Sequence, residues 1–292
     1  MSTAALSSPG ILPKSLSRFI WSVRREMWEH RFLIAAPCGV AALAVAGFIV
    51  GWPFGVGDMV AHTPKGRWGG IGTAYDATTF FCIMTGLAVA LFYCLEALHA
   101  ERRDRSILFW KSPPVSDFAA VLAKLAVPML LLPAVVLAAV MAASAAMLLA
   151  GSVILTITGH SAATLWAAGS PAIRFSCLVY ALALSALWLA PVYCALLLVS
   201  VWARRAPFLW AALPLILADA VMRLVFRSHA ATAFYLYRIT GWFDEGLRMA
   251  NGLPIARTPD RFLASPGLWL GIAAAVVFFI VAVRLRRRSA PF

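Results

Sequence analysis

The chain has 292 residues, of which 62% are hydrophobic and 13% charged, and its formal net charge is +13. Soluble domains carry about a quarter of their residues as charges, so this composition leaves too little polar surface for a water-soluble fold and places the chain among integral membrane proteins. The positive balance is the kind that orients membrane proteins through Lys and Arg on cytoplasmic loops, and it calls for no nucleic-acid partner.

Residues 14–31, KSLSRFIWSVRREMWEHR, precede the first long apolar run. Leu16, Phe19, Ile20, Val23 and Met27 share one stripe at helical spacing, and Arg18, Arg25, Glu26 and Glu29 fall opposite. Trp21 and Trp28 stand seven apart at the stripe's edge, where interfacial tryptophans belong. The pattern predicts an amphipathic helix lying on the cytoplasmic leaflet within a cytoplasmic N-terminal region, 1–31. The run that follows has no A-x-A-like exit and is long enough to span, so it is expected to stay attached.

Six apolar runs have spanning length, about 20 residues each. They lie near 32–52, 78–98, 121–150, 175–202, 208–225 and 267–283 and form one membrane domain, 32–285, followed by a basic tail, 286–292. The third and fourth exceed what a bilayer needs and are expected to tilt or protrude. With the N-terminus inside, about sixteen Lys and Arg fall on cytoplasmic segments and about nine on the other side, which predicts N-in, C-in topology. The five cysteines, Cys38, Cys82, Cys94, Cys177 and Cys194, all lie in apolar runs without a CxxC pair and read as small core residues.

Between the first two spans, 53–77 is rich in Gly and Pro and reads as an external loop. Its GVGD, Gly55 to Asp58, and its Tyr75-Asp76 resemble in part the paired aspartates of intramembrane aspartyl proteases. The order is reversed and both lie outside the predicted spans, so a turn is the better reading. Residues 151–172 are mixed and suit a short helix on the outer surface. Residues 226–266 are aromatic-rich and suit short helices dipping back toward the membrane. On the fifth span, Asp219 and Arg223 are four apart, the spacing of a helical ion pair. They read either as a pair whose arginine snorkels outward or as a polar element on a translocation path.

The stretch after the second span, ERRDRSILFWKSPPVSD, is Glu101 to Asp117. Five charges are followed by Ile107, Leu108, Phe109 and Trp110, then Lys111, a break at Pro113-Pro114, and Ser116 as N-cap with Asp117 in the first turn of the next helix. An apolar tetrad in a charged loop either rests on lipid or buries against a partner. The chain has no G-x-x-x-x-G-K-[ST], so nothing here cradles nucleotide phosphates. The histidines are scattered, with His99 near Glu96 and Glu101, and no three ligands share a face for a metal. No nucleophile sits in a recognisable elbow.

The loop resembles that of ABC-2-type exporter permeases, which reads roughly E-x-x-x-G-T-L-E-x-L-L-x-x-P-V-S-x-x-x-x-x-x-K. Glu101, Leu108, Pro114-Val115-Ser116 and Lys124 match in kind and order; Arg105-Ser106 replaces the Gly-Thr, and Pro113 stands where an apolar residue is common. The resemblance extends over the chain: interfacial helix, six spans, large last outer loop and basic tail. It implies an all-α membrane fold with a short cytoplasmic coupling helix between spans two and three. It implies a transmembrane subunit, not itself an enzyme, that pairs with a second permease chain and recruits two ATP-binding subunits, which hold the ATP and Mg. By the same resemblance Ile107 to Trp110 form the coupling helix, flanked by Arg105 and Lys111, and Glu96, Glu101 and Arg102 form its gating stem. Two other readings stand beside it. One is an intramembrane enzyme built on Asp58 and Asp76; the other is a non-transporting anchor for a cytoplasmic partner. A double Asp→Asn change separates the first, and co-purification with an ATPase separates the second.

Overall fold

The computed structural model describes residues 14–61, 70–103, 116–157, 159, 171–203, 205–250 and 253–288. The chain folds as an all-α membrane protein. Among the described residues six helices are long and apolar enough to cross a bilayer: Phe32–Gly51, Ala74–Ala100, Asp117–Ile157, Ala172–Trp202, Pro207–Leu224 and Pro266–Arg288. Their parent elements are α2 (Phe32–Ala61), α3 (Gly70–Arg103), α4 (Asp117–Ala126), which continues through a π-helical turn into α5 (Leu132–Ile157), α6 (Pro171–Trp202), α7 (Pro207–Leu224) and α10 (Pro266–Arg288). Ahead of them lies α1 (Lys14–Glu29). Between α7 and α10 lie α8 (Ala230–Gly246), strands β1 (Leu247–Ala250) and β2 (Leu253–Arg257), and α9 (Pro259–Ala264).

Several ends differ from the sequence expectation. The loop expected over 53–77 is helical to Ala61 and again from Gly70, so Gly55–Asp58 and Tyr75-Asp76 belong to α2 and α3. Gly and Pro marked a turn that the apolar flanks overrode. The third span reaches Ile157 instead of stopping near 150, and residues 160–170 lie outside the described residues. The last helix continues to Arg288, so the tail expected from 286 begins inside it, with Arg286 buried. The aromatic-rich 226–266 segment does hold helices, α8 and α9, but also an antiparallel hairpin with an irregularity between Arg248 and Met249. The sequence signal for the hairpin is Asn251-Gly252, a dipeptide strongly favoured between hairpin strands, though the flanking runs are short. Cys82, Cys94 and Cys194 are buried as expected, whereas Cys38 is exposed on the bundle's outer face.

The core centres on α6, which packs against α10, α3, α8 and α5. Leu178, Leu182, Trp188, Leu189, Tyr193, Leu197 and Val201 line its buried faces. Helices α3 and α5 approach closely because Gly86 has no side chain: a Cβ there would lie 2.6 Å from Val136 Cγ2. Small residues are what let membrane helices come this near. The π turn Val127–Leu131 has its own local cause. Pro128 and Pro133 each lack an N–H and crowd the carbonyl four residues back, and the chain widens so that the Leu132 N–H reaches Val127 O instead.

Candidate functional site

Alternating spans bring the end of α1, the start of α2, the end of α3, the start of α4 and the ends of α6 and α10 to one end of the bundle, here the near end. Helix α3 ends and helix α4 begins there, on either side of residues 104–115. Three sets of side-chain fastenings surround these two helix ends.

The first is a buried ion pair. Glu26 on α1 and Lys124 on α4 are 6% and 3% exposed, and Lys124 Nζ donates to Glu26 Oε1 at 2.8 Å. Tyr93 of α3 donates its hydroxyl to Glu26 Oε2 at 2.8 Å, and His30 Nε2 lies 3.7 Å from the same oxygen. The His30 ring stands edge-on to Tyr93 at 5.2 Å. Burial pushes the Glu26 carboxyl up; the Lys124 ammonium, the hydrogen bonds from Lys124 and Tyr93, and His30 outweigh it and hold the carboxyl below its ordinary value. Three elements thus meet on one carboxylate. Taking either charge away leaves the other buried and uncompensated, the costly way to break such a pair.

The second fastening joins the last helix to the third span. Arg286 Nε on α10 lies 3.4 Å from Asp117 Oδ1, in the first turn of α4. The next residue, Phe118, meets Phe279, two turns before Arg286, edge to face at 5.3 Å. Ser116 caps α4 by accepting from the Ala119 N–H at 3.2 Å, as its position before an apolar run predicts. The third joins α6 to α3. The fully buried Ser200 hydroxyl accepts from the Leu98 and His99 N–H groups at 3.1 and 2.9 Å. His99 Nδ1 lies 3.1 Å from Ala203 O, so its ring engages a backbone carbonyl.

Of the residues singled out from the sequence, Glu101 and Arg102 fall in the last turn of α3, and Glu96 is exposed on the same helix. Arg105, Ile107, Leu108, Phe109, Trp110 and Lys111 lie outside the described residues. Asp219 and Arg223 are paired: Arg223 Nε is 2.8 Å from Asp219 Oδ2. Thr232 of α8 completes the group, donating to Asp219 Oδ1 at 2.5 Å and accepting from Arg223 Nη2 at 2.8 Å. They sit on α7, none of whose residues is buried within the chain. Asp76 faces Arg174 of α6 at 3.6 Å, and that guanidinium lies 4.8 Å from the Tyr75 ring centre.

Glu26, Tyr93, Lys124 and Arg286 are the residues sequence reasoning missed as a group. The helical wheel puts Glu26 on the polar face of α1, yet it is the buried residue among 19–29 of that helix. The available signal was Lys124, a cation within the apolar stretch VLAKLAV, which has to find a counter-charge if it points inward.

At the opposite end α8 is clasped between α6 and α10. The Arg238 guanidinium donates to Trp188 O and, through Nη1 at 3.1 Å, to Gly267 O. It lies 5.0 Å from the Trp188 ring centre, and Trp188 Nε1 donates back to Arg238 O at 3.1 Å. Gly271 lets the guanidinium pass, since a Cβ there would run into it.

No protein-family model, curated protein or solved structure matches the chain.

Proposed function

We propose that this chain is the transmembrane permease subunit of an ATP-binding-cassette exporter. It pairs with a second permease chain, forms the substrate path, and works with two separate ATP-binding subunits that supply ATP hydrolysis. The near end faces the cytoplasm, as the excess of Lys and Arg on its segments favours, in a bacterial inner membrane.

Two things support the reading. One is the likeness of Glu101, Leu108, Pro114-Val115-Ser116 and Lys124 to the loop of ABC-2-type permeases. The other, and the observation that carries it, is the set of fastenings at the feet of 104–115. Through Glu26–Lys124–Tyr93, Arg286–Asp117 and Ser200 with Leu98 and His99, five helices are tied at the level where the loop meets the bundle. A push on Ile107 to Trp110 is then passed to α1, α3, α4, α6 and α10 together. Burying Phe109 and Trp110 in a partner's cleft contributes roughly 1.5–3 kcal/mol each, and Arg102, Arg105 and Lys111 favour encounter with an acidic rim.

The test is the Phe109→Ala, Trp110→Ala double variant, purified from its own host with its associated proteins. The wild-type chain brings down an ATP-hydrolysing subunit. The variant inserts normally but loses that subunit, or keeps it while ATP no longer drives export. Undiminished recovery and transport in the double variant sinks the coupling role of the tetrad, and absence of any ATPase with the wild-type chain favours the membrane-anchor reading.

A further inference from the structure

The Glu26 clamp does more than hold α1 down: it fixes the helix's roll. At ~100° per residue, Trp21, Arg24 and Trp28 all fall within about 40° of the direction opposite Glu26. Trp21 and Trp28 are 66% and 67% exposed, Ile20 beside them is 45% exposed, and Arg24 is exposed. The Arg24 guanidinium carbon lies 5.5 Å from the Trp21 ring centre and 5.6 Å from that of Trp28. The cation is thereby held between two indoles. Its neighbour Arg25 is neutralised by Glu29 on the same helix, whereas among the described residues no carboxylate pairs with Arg24.

Two bare indoles are poorly suited to water, and a guanidinium between them is poorly suited to hydrocarbon. The headgroup layer suits both: indoles settle at that depth, and an arginine finds phosphate oxygens there. Continuity of the chain puts the face at that depth. Helix α1 ends at Glu29 and the first span begins at Phe32, so only His30 and Arg31 separate them. Phe32 is itself 39% exposed, leading the same outer surface into the span. The stripe of Phe19, Val23 and Met27, expected to lie on lipid, is instead half-buried on the side that packs against α4.

We propose that the outward face of α1 is a docking surface for anionic phospholipid headgroups, with the phosphate seated on Arg24 between Trp21 and Trp28. The surface stands independently of the transporter reading, since it needs only the bilayer that the six spans already require.

Native mass spectrometry of the detergent-purified full chain tests it, titrating phosphatidylglycerol or phosphatidylcholine with and without inorganic phosphate. The wild-type chain retains phosphatidylglycerol in preference to phosphatidylcholine, and inorganic phosphate does not displace it. Arg24→Ala weakens phosphatidylglycerol binding about fivefold, the effect of one surface cation on an anionic lipid. Arg24→Lys recovers part of the loss, and Arg261→Ala, at the opposite end, changes nothing. Because Arg24 is exposed, the variants keep the wild-type melting behaviour, which the same samples report. Equal binding of the two lipids, equal phosphatidylglycerol binding by wild type and Arg24→Ala, or an equal loss in Arg261→Ala each overturns the proposal. Displacement by inorganic phosphate overturns the lipid as occupant and leaves a phosphate site. If detergent strips the lipid from every sample, quenching of Trp21 and Trp28 by brominated phosphatidylglycerol in nanodiscs decides: a wild-type signal unaltered by Trp21→Phe with Trp28→Phe counts against it.

Discussion

The two ends of the bundle are held by different chemistry. At the near end the principal fastenings are pairs of opposite charges from different helices, Glu26 with Lys124 and Asp117 with Arg286. At the far end the clasp is one cation on backbone carbonyls, Arg238 on Trp188 O and Gly267 O, returned by the Trp188 indole N–H. A charge pair survives only while both partners keep their protonation and position, so it can be opened by a push or a proton. A guanidinium on carbonyls has no partner to lose, because the acceptors are part of the helices themselves. The near end is therefore built as a joint and the far end as a rivet. Asp219 and Arg223 make a third kind of contact, a pair one turn apart on a single helix none of whose residues is buried within the chain.

The largest effect separating joint from rivet should come from Lys124→Ala. It strands the Glu26 carboxylate beside Tyr93, and breaking a buried pair from one side costs about 3–5 kcal/mol. Replacing both charges by shape-matched neutral groups, Glu26→Gln with Lys124→Met, should recover most of that loss. Thermal unfolding in detergent, followed with a label on α1, reads both. A double variant as unstable as the single one would mean that the pair does not act as a unit.

A smaller loss is expected at the far end. In Gly271→Ala the new methyl meets the Arg238 guanidinium, which two carbonyls hold in place. Overpacking of this kind costs about 1–3 kcal/mol. The comparison sharpens in the Arg238→Ala background, where the same Gly271→Ala step should cost far less because the obstructing group is gone. Equal costs in the two backgrounds would show that Arg238 is not what the glycine accommodates.

What could be read from the sequence follows the range of each interaction. The six spans were plain because their signal is composition over about 20 consecutive residues. The Asp219–Arg223 pair was readable because its partners are one helical turn apart. Glu26 and Lys124 are 98 residues apart, and on a helical wheel a carboxylate at the edge of an apolar stripe looks like part of a solvated face. Arg286 looked like one of several tail cations; nothing local tells it from Arg287 or Arg288, and only the position of Asp117 across the bundle does. Residues 104–115 follow from the order of the spans, but the side chains that tie the end of α3 and the start of α4 do not, because their partners come from helices that are distant along the chain.

The smallest effect concerns pH and acts on the joint alone. The Glu26 carboxyl sits below its ordinary value of 4.5, because Lys124, Tyr93 and His30 outweigh burial. A carboxyl whose pKa is lowered by folding adds stability that is fully present above its unfolded value and is lost as pH falls through the folded one. The Glu26 contribution should therefore stay constant from about pH 8 to about pH 6 and fade only on acidification below 4.5. His30, whose Nε2 lies 3.7 Å from Glu26 Oε2, acts on the same carboxylate, so its effect has to be separated from that of Lys124. The measurement belongs in a His30→Gln background, as the difference in melting temperature between Glu26 and the Glu26→Gln, Lys124→Met variant at each pH. A flat difference down to the carboxylate range, then a decline, keeps the pair charged at every pH at which a cell works. A difference that falls between about pH 8 and 6 in that background would mean that burial prevails over Lys124 and that the joint answers to protons as well.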